Sequence, residues 1–345
     1  MSWVEEEIRE QPEALERFLE AEQGNAEALA RSLVRADVRY LLIASRGSSG
    51  NAARYAQYLF AAANRLPTAF ATPSVYTLYE TSPRLDGALA IAISQSGASP
   101  DVVAVLTEAR RQGRPTLAIT NDPESPLAQA AEWTLTLHAG TERAVAATKT
   151  YLNSVAAVAL LSAALAGDEE RLAELRAAPD AVRAQIERSL ADAQRLDPYR
   201  DVESGSVVAR GVNYGTAFEI ALKIRELTGI AFEPWSPPDL LHGPIAALKP
   251  GRPAVVVAPS GPTLASMREF VAKVYERGSE VITISDDAEL LEAADTALPL
   301  AQAVPEWLSP LLTVIPGQLA ALRLATLQGI DVDRPLGLTK VTLTR

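Results

Sequence analysis

The sequence contains no cysteine. That excludes disulfides, thiolate metal sites and a cysteine nucleophile. Histidine is scarce too: there are two, with no HExxH-like pairing, which argues against a histidine-rich metal centre. Positive charge is in deficit, with 32 Lys and Arg against 43 Asp and Glu, a formal net charge of −11. A general nucleic-acid binder needs the opposite balance. A small anion remains possible if backbone N–H groups hold it. Apolar runs of membrane-spanning length are lacking: the long apolar stretch 154–167 is rich in alanine and too short to span a bilayer. The opening MSWVEEEIRE is acidic and has no apolar core, so no signal peptide is expected and the cytoplasm is the expected compartment. The GxGxxG dinucleotide pattern is absent, and neither a cofactor nor a metal is called for.

What is present is a repeat. The chain has 345 residues, 48% of them hydrophobic, enough for two domains. SRGSSGNAARYAQYL at 45–59 resembles ARGVNYGTAFEIALK at 209–223, and residues 90–122 match 254–287. Gly47 to Gly97 and Gly211 to Gly261 are both 50 residues apart, and Gly113 to Asp122 and Gly278 to Asp287 are both 9. Chance similarity of composition does not preserve two distances, so the chain holds two copies of one domain.

Each copy alternates apolar runs with helical patterns. Strands are expected at 38–44, 88–93, 115–120 and 133–137, and in the second copy at 206–209, 253–258, 280–285 and 296–300. Helices are expected at 50–64, 100–112 and 148–165, with linking helices over 167–196. The expected fold class is α/β: two tandem three-layer α/β/α sandwiches with mainly parallel sheets. The expected extents are an N-terminal helical segment at 1–36, a first domain with helical linker at 37–190, and a second domain with C-terminal tail at 191–345.

In open α/β sheets ligands bind beyond the carboxyl ends of strands. Two segments there, 45–50 (SRGSSG) and 94–99 (SQSGAS), combine small hydroxyl residues with glycine at a helix start. Either loop alone reads as an ordinary turn and N-cap. Two on one sheet edge point to a phosphate monoester held by hydroxyls and free N–H groups. A third segment, 139–149 (AGTERAVAATK), is equally open to a structural or a binding role.

Ser94-Gln95-Ser96-Gly97, Ala139-Gly140-Thr141-Glu142, Ala147-Thr148-Lys149, FEIALKIRE at 218–226, Leu241-His242-Gly243-Pro244 and the tail from Asp331 to Lys340 together resemble the sugar isomerase (SIS) domain family. The resemblance is to its double-domain branch, which includes the isomerase half of glucosamine-6-phosphate synthase and stand-alone glucosamine-6-phosphate deaminases. It covers nearly the whole chain.

The resemblance implies that Ser48, Ser49, Ser94, Gln95, Ser96 and Ser99 bind the phosphate end of a sugar phosphate and that Val145 contacts the sugar. It implies that Glu226 moves a proton between C1 and C2, that Lys223 and Lys340 lie near that end, and that His242 opens the ring. It also implies a homodimer in which the histidine comes from the neighbouring subunit, although one chain could supply every residue. The glutaminase half is absent, which favours release of ammonia over its use. The expected activity is deamination and isomerisation of glucosamine 6-phosphate; fructosamine-phosphate deglycase, phosphosugar isomerase and a non-catalytic sensor are the alternatives. A sensor would need only the serine loops. Ala98, Ala147 and Leu241 depart from the usual Glu, Ser and Lys, and Ser99 stands where Thr is usual.

The residues carry this chemistry in principle. A histidine can shuttle a ring hydroxyl proton, a carboxylate can take a proton beside C=O or C=N, and a cation can stabilise the enediolate or enolamine. Glu219, Lys223 and Glu226 fall on one helix face at i, i+4 and i+7. On residues alone the commoner meaning of that trio is an exposed ion-pair ladder.

Overall fold

A computed structural model describes residues 1–34, 36–334, 337 and 340. Among them the apolar runs form ten strands: β1 (Tyr40–Ser45), β2 (Thr68–Phe70), β3 (Ala88–Ile93), β4 (Thr116–Thr120), β5 (Trp133–Thr136), β6 (Ser204–Ala209), β7 (Ala231–Trp235), β8 (Ala254–Val257), β9 (Val281–Ser285) and β10 (Thr296–Pro299). They make two five-stranded sheets, in the orders β2-β1-β3-β4-β5 and β7-β6-β8-β9-β10. Every pairing is parallel. Both sheets thus share one topology, as the repeat requires. Strands β3, β4, β8 and β9 are buried along their whole length, the pattern of a parallel sheet covered on both faces.

The chain divides into two units that interlace in sequence. The first holds residues of Glu13–Glu142 and Lys149–Ala177, with Lys340; the second holds Met1–Pro12, Arg143–Thr148, and 178–334 with 337. In the first unit, strands β1, β3 and β4 pack Leu42, Ala90 and Ala118 against Val102, Val105 and Leu106 of the helix Pro100–Arg111. In the second, Val208, Val256 and Ala254 pack against Met267, Phe270 and Val274 of Leu264–Glu276.

The edge strands β2 and β7 escape the sequence pattern. β2 is only three residues long, and β7 carries Glu233 and Pro234, which an edge strand tolerates. The helix expected over 50–64 begins at Gly47 and changes to a π turn at Phe60–Asn64. The linking stretch forms the helices Glu169–Arg176 and Ala178–Asp192. Two helices, Lys149–Ala166 and Pro310–Leu327, are long and apolar enough to cross a membrane by length and composition. Both are largely buried, the first against Gly47–Leu59 and the second against Tyr214–Thr228.

Candidate active site

In the first sheet Ser45 pairs with Ile93, so the loops 45–50 and 94–99 leave the carboxyl edges of adjacent strands. The strand order reverses between β1 and β3, which makes this the switch-point crevice of the sheet. The loops enter the N-termini of Gly47–Leu59 and Pro100–Arg111, whose helix dipoles favour an anion. Ser94 is buried; Ser48, Ser49, Gln95, Ser96 and Ser99 are half-buried. The hydroxyls of Ser49, Ser94 and Ser99 bond no other described residue, and Ser99 does not use its side chain to cap its helix. The Ser96 hydroxyl accepts the Ala98 amide at 3.3 Å.

This loop is held from behind. The Gln95 carbonyl accepts the Asn121 amide at 3.0 Å and the Thr120 hydroxyl at 3.2 Å. Gly97 has φ +59°, and a Cβ there would fall 2.2 Å from Ser125 Oγ. Only glycine fits both the left-handed backbone and the close approach.

The second unit repeats the crevice but fills it. Gly261 stands where Gly97 stands in the first copy, with φ +151°. A Cβ on Gly261 would meet the Glu306 side chain at 2.7–2.9 Å. The Glu306 carboxylate accepts from the Thr263 hydroxyl at 2.8 Å, so a protein carboxylate lies at the start of the helix Leu264–Glu276 in this copy.

The helix Tyr214–Thr228 carries the trio. It is no exposed ladder: Glu219 is 0% and Lys223 1% exposed, while the Glu226 side chain keeps 24%. Lys223 Nζ lies 2.5 Å from Glu226 Oε2 and 3.4 Å from Glu219 Oε1. A buried ammonium demands such partners. A flank of this helix is clamped, since a Cβ on Gly317 of Pro310–Leu327 would lie 2.3 Å from Ile220. Glu226 is therefore a carboxylate on a rigid helix, oriented by a buried lysine and open to solvent on one side.

His242, in the same unit, is exposed at the C-terminus of Pro237–Leu241. Its side chain makes no hydrogen bond or ion pair with a described residue, Lys223 and Glu226 included. Lys340, in the first unit, reaches Glu142 Oε2 at 3.0 Å. The buried Glu142 also accepts the Thr150 amide at 3.1 Å and hydroxyl at 2.7 Å. Val145 is half-buried, in a short segment that belongs to the second unit. Buried Glu7 holds the start of that segment by accepting the Arg143 and Ala144 amides. The carboxylates of Glu7, Glu142 and Glu306 carry no local sequence signal beyond the charged residues near Gly140, because their partners are distant in the chain.

Tandem parallel sandwiches, with hydroxyl loops at the switch point of the first sheet and a lysine-oriented carboxylate on a buried helix, define a duplicated α/β protein. The SIS domain model matches residues 33–164 and again 200–328. Glutamine–fructose-6-phosphate aminotransferases [isomerizing] from Pyrococcus horikoshii and Thermus thermophilus are 34% and 35% identical over 97% of this chain. The chain spans 56% and 57% of their length, a little over half. The solved C-terminal domain of glucosamine-fructose-6-phosphate aminotransferase from Francisella tularensis superposes with a TM-score of 0.86 at 27% identity, covering 97% of this chain and 98% of that one. A glucosamine-6-phosphate deaminase from Thermotoga maritima shares the fold, with a TM-score of 0.80 at 21% identity over 99% of this chain and 100% of that one. The chain belongs to the SIS domain family, among its phosphosugar isomerase enzymes.

Proposed function

We propose that the chain converts glucosamine 6-phosphate and water to fructose 6-phosphate and ammonia. The observation that carries the reading is Glu226, with its carboxylate oriented by buried Lys223 and still open to solvent. The relatives' names support the substrate class, since they name fructose 6-phosphate and, for the solved domain, glucosamine beside it.

In this reading Ser48, Ser49, Ser94, Gln95, Ser96 and Ser99 hold the phosphate, and Val145 contacts the sugar. His242 moves the ring hydroxyl proton and opens the ring to the aldehyde. Glu226 takes the proton from C2 and returns it to C1, converting the amino aldehyde through an enolamine to a ketimine. Water then adds to the C=N bond and ammonia leaves. Lys223 keeps the carboxylate in place, and Lys340 stabilises negative charge on oxygen as the enolamine forms. The working unit is a homodimer, with each subunit's His242 serving the other's substrate.

A panel tests it. The protein is incubated with glucosamine 6-phosphate, unphosphorylated glucosamine, a fructosamine 6-phosphate and plain aldose and ketose 6-phosphates, and ammonia and ketose are measured. Ammonia and fructose 6-phosphate should form in equal amounts from the first alone. Equal efficiency on glucosamine would sink the phosphate assignment; release from the fructosamine phosphate alone would make the protein a deglycase. Aldose–ketose interconversion without ammonia would make it a simple isomerase.

A further inference from the structure

Across the two hydroxyl loops, Arg46 is the only charged residue among the twelve positions 45–50 and 94–99. Its backbone is extended, φ −138° and ψ 159°, at the entry to Gly47–Leu59. From the first loop its side chain crosses to the first turn of the helix that follows the second. There Nε and Nη2 donate to Asp101 Oδ2 at 3.0 and 2.7 Å. The Asp101 side chain is 1% exposed, whereas Arg46 keeps 51%. The other Asp101 oxygen accepts the Val102 amide at 2.9 Å, so the carboxylate is fixed to the helix it opens.

The geometry leaves part of the guanidinium unused. Arginine presents five N–H donors in a planar fork. Two point at Asp101 Oδ2, and no other described residue bonds the remaining three. They face away from the buried carboxylate, on the half-exposed side. The second copy makes an informative contrast. Arg210 has nearly the same backbone, φ −137° and ψ 157°, but position 265, which matches Asp101, is alanine, and Glu306 fills that crevice. The anchored arginine is thus found in the copy whose hydroxyl loops are open.

We infer that Arg46 is a phosphate ligand held ready by Asp101, supplying the cation that the serine loops lack. This rests on the reading that those loops take the phosphate. Hydroxyls and amides can surround a phosphate but leave its double negative charge to the helix dipoles; a planar fork beside them adds a charge-assisted pair. Asp101 keeps the long side chain from wandering, so little rotamer freedom is lost on binding.

The competing role is that Arg46 merely neutralises a buried Asp101. Three variants separate the two: Arg46→Gln, Asp101→Asn and the double variant, which removes both charges and leaves no buried charge unpaired. Each is checked for its thermal midpoint. Inorganic phosphate affinity is then measured by calorimetry, with kcat and KM for glucosamine 6-phosphate. Arg46→Gln and the double variant should weaken phosphate by about 10- to 100-fold, as for a lost hydrogen bond between charged groups. KM should rise while kcat holds. Asp101→Asn alone keeps the guanidinium and should weaken phosphate less. A folded double variant that binds phosphate like the parent protein overturns the inference and leaves the serine loops standing. Failure of the parent protein to bind both phosphate and glucosamine 6-phosphate would overturn the loop assignment and this inference with it.

Discussion

At the residue scale, Lys223 is the informative side chain. It is as buried as any aliphatic core residue, yet it lies between two carboxylates, one sealed and one open. The carboxylate that keeps solvent access is Glu226, the one that can exchange a proton as a base. Glu226→Gln keeps the shape and removes that base. kcat should fall by roughly 10²–10⁴, the usual contribution of a positioned general base. Phosphosugar affinity should hold, and deuterium incorporation from solvent at C1 should disappear. Normal incorporation in that variant would assign the proton transfer to another group. The spacing of the trio is legible in the sequence, because i, i+4 and i+7 share a helix face. Its burial is not, since charges at that spacing ordinarily mark solvent, and it is the packing of Pro310–Leu327 that covers the helix. Arg46 with Asp101, 55 residues apart, and Lys340 with Glu142, 198 apart, are equally invisible to local reading.

At the scale of the element, the segment 94–99 is a turn whose shape depends on what lies behind it. Gly97 is pressed against Ser125, which caps the short helix Pro126–Ala130, and its carbonyl accepts the Leu127 amide at 3.0 Å. Gly97→Ala must place a methyl group 2.2 Å from Ser125 Oγ while keeping φ at +59°. The left-handed backbone costs about 1–2 kcal/mol for a residue with a Cβ, and overpacking about 1–3 kcal/mol more. The variant should lose about 2–5 kcal/mol in denaturant unfolding, and the loop, displaced from its helix, should show a raised KM. Parent-like stability would mean that Ser125 can move aside freely. The hydroxyl loop and the fully buried strands beside it are legible because buried parallel strands read as continuous apolar runs. β2 and β7 are not: β2 has only three residues, two of them exposed, and β7 is interrupted by Glu233 and Pro234, whereas the edge strands β5 and β10 keep apolar runs of their own.

At the scale of the whole molecule, a duplicated fold does not yield a duplicated site. The repeat is legible because two 50-residue and two 9-residue glycine-anchored intervals coincide. Which copy stays open is not legible, because the residue that closes the second crevice, Glu306, lies 45 positions beyond Gly261 and outside the matched segments. Its carboxylate already accepts the Thr263 hydroxyl at the helix start, and a second anion would have to displace a like charge and its hydrogen bond. Calorimetric titration with fructose 6-phosphate should therefore saturate at one equivalent per chain, and phosphate should compete for that single site. Ser96→Ala should weaken this binding, by about 1–2 kcal/mol for a charge-assisted hydrogen bond, whereas Thr263→Ala should leave it unchanged. Two equivalents per chain, with one class of site sensitive to Thr263→Ala, would show that the second crevice opens and that Glu306 yields to the ligand.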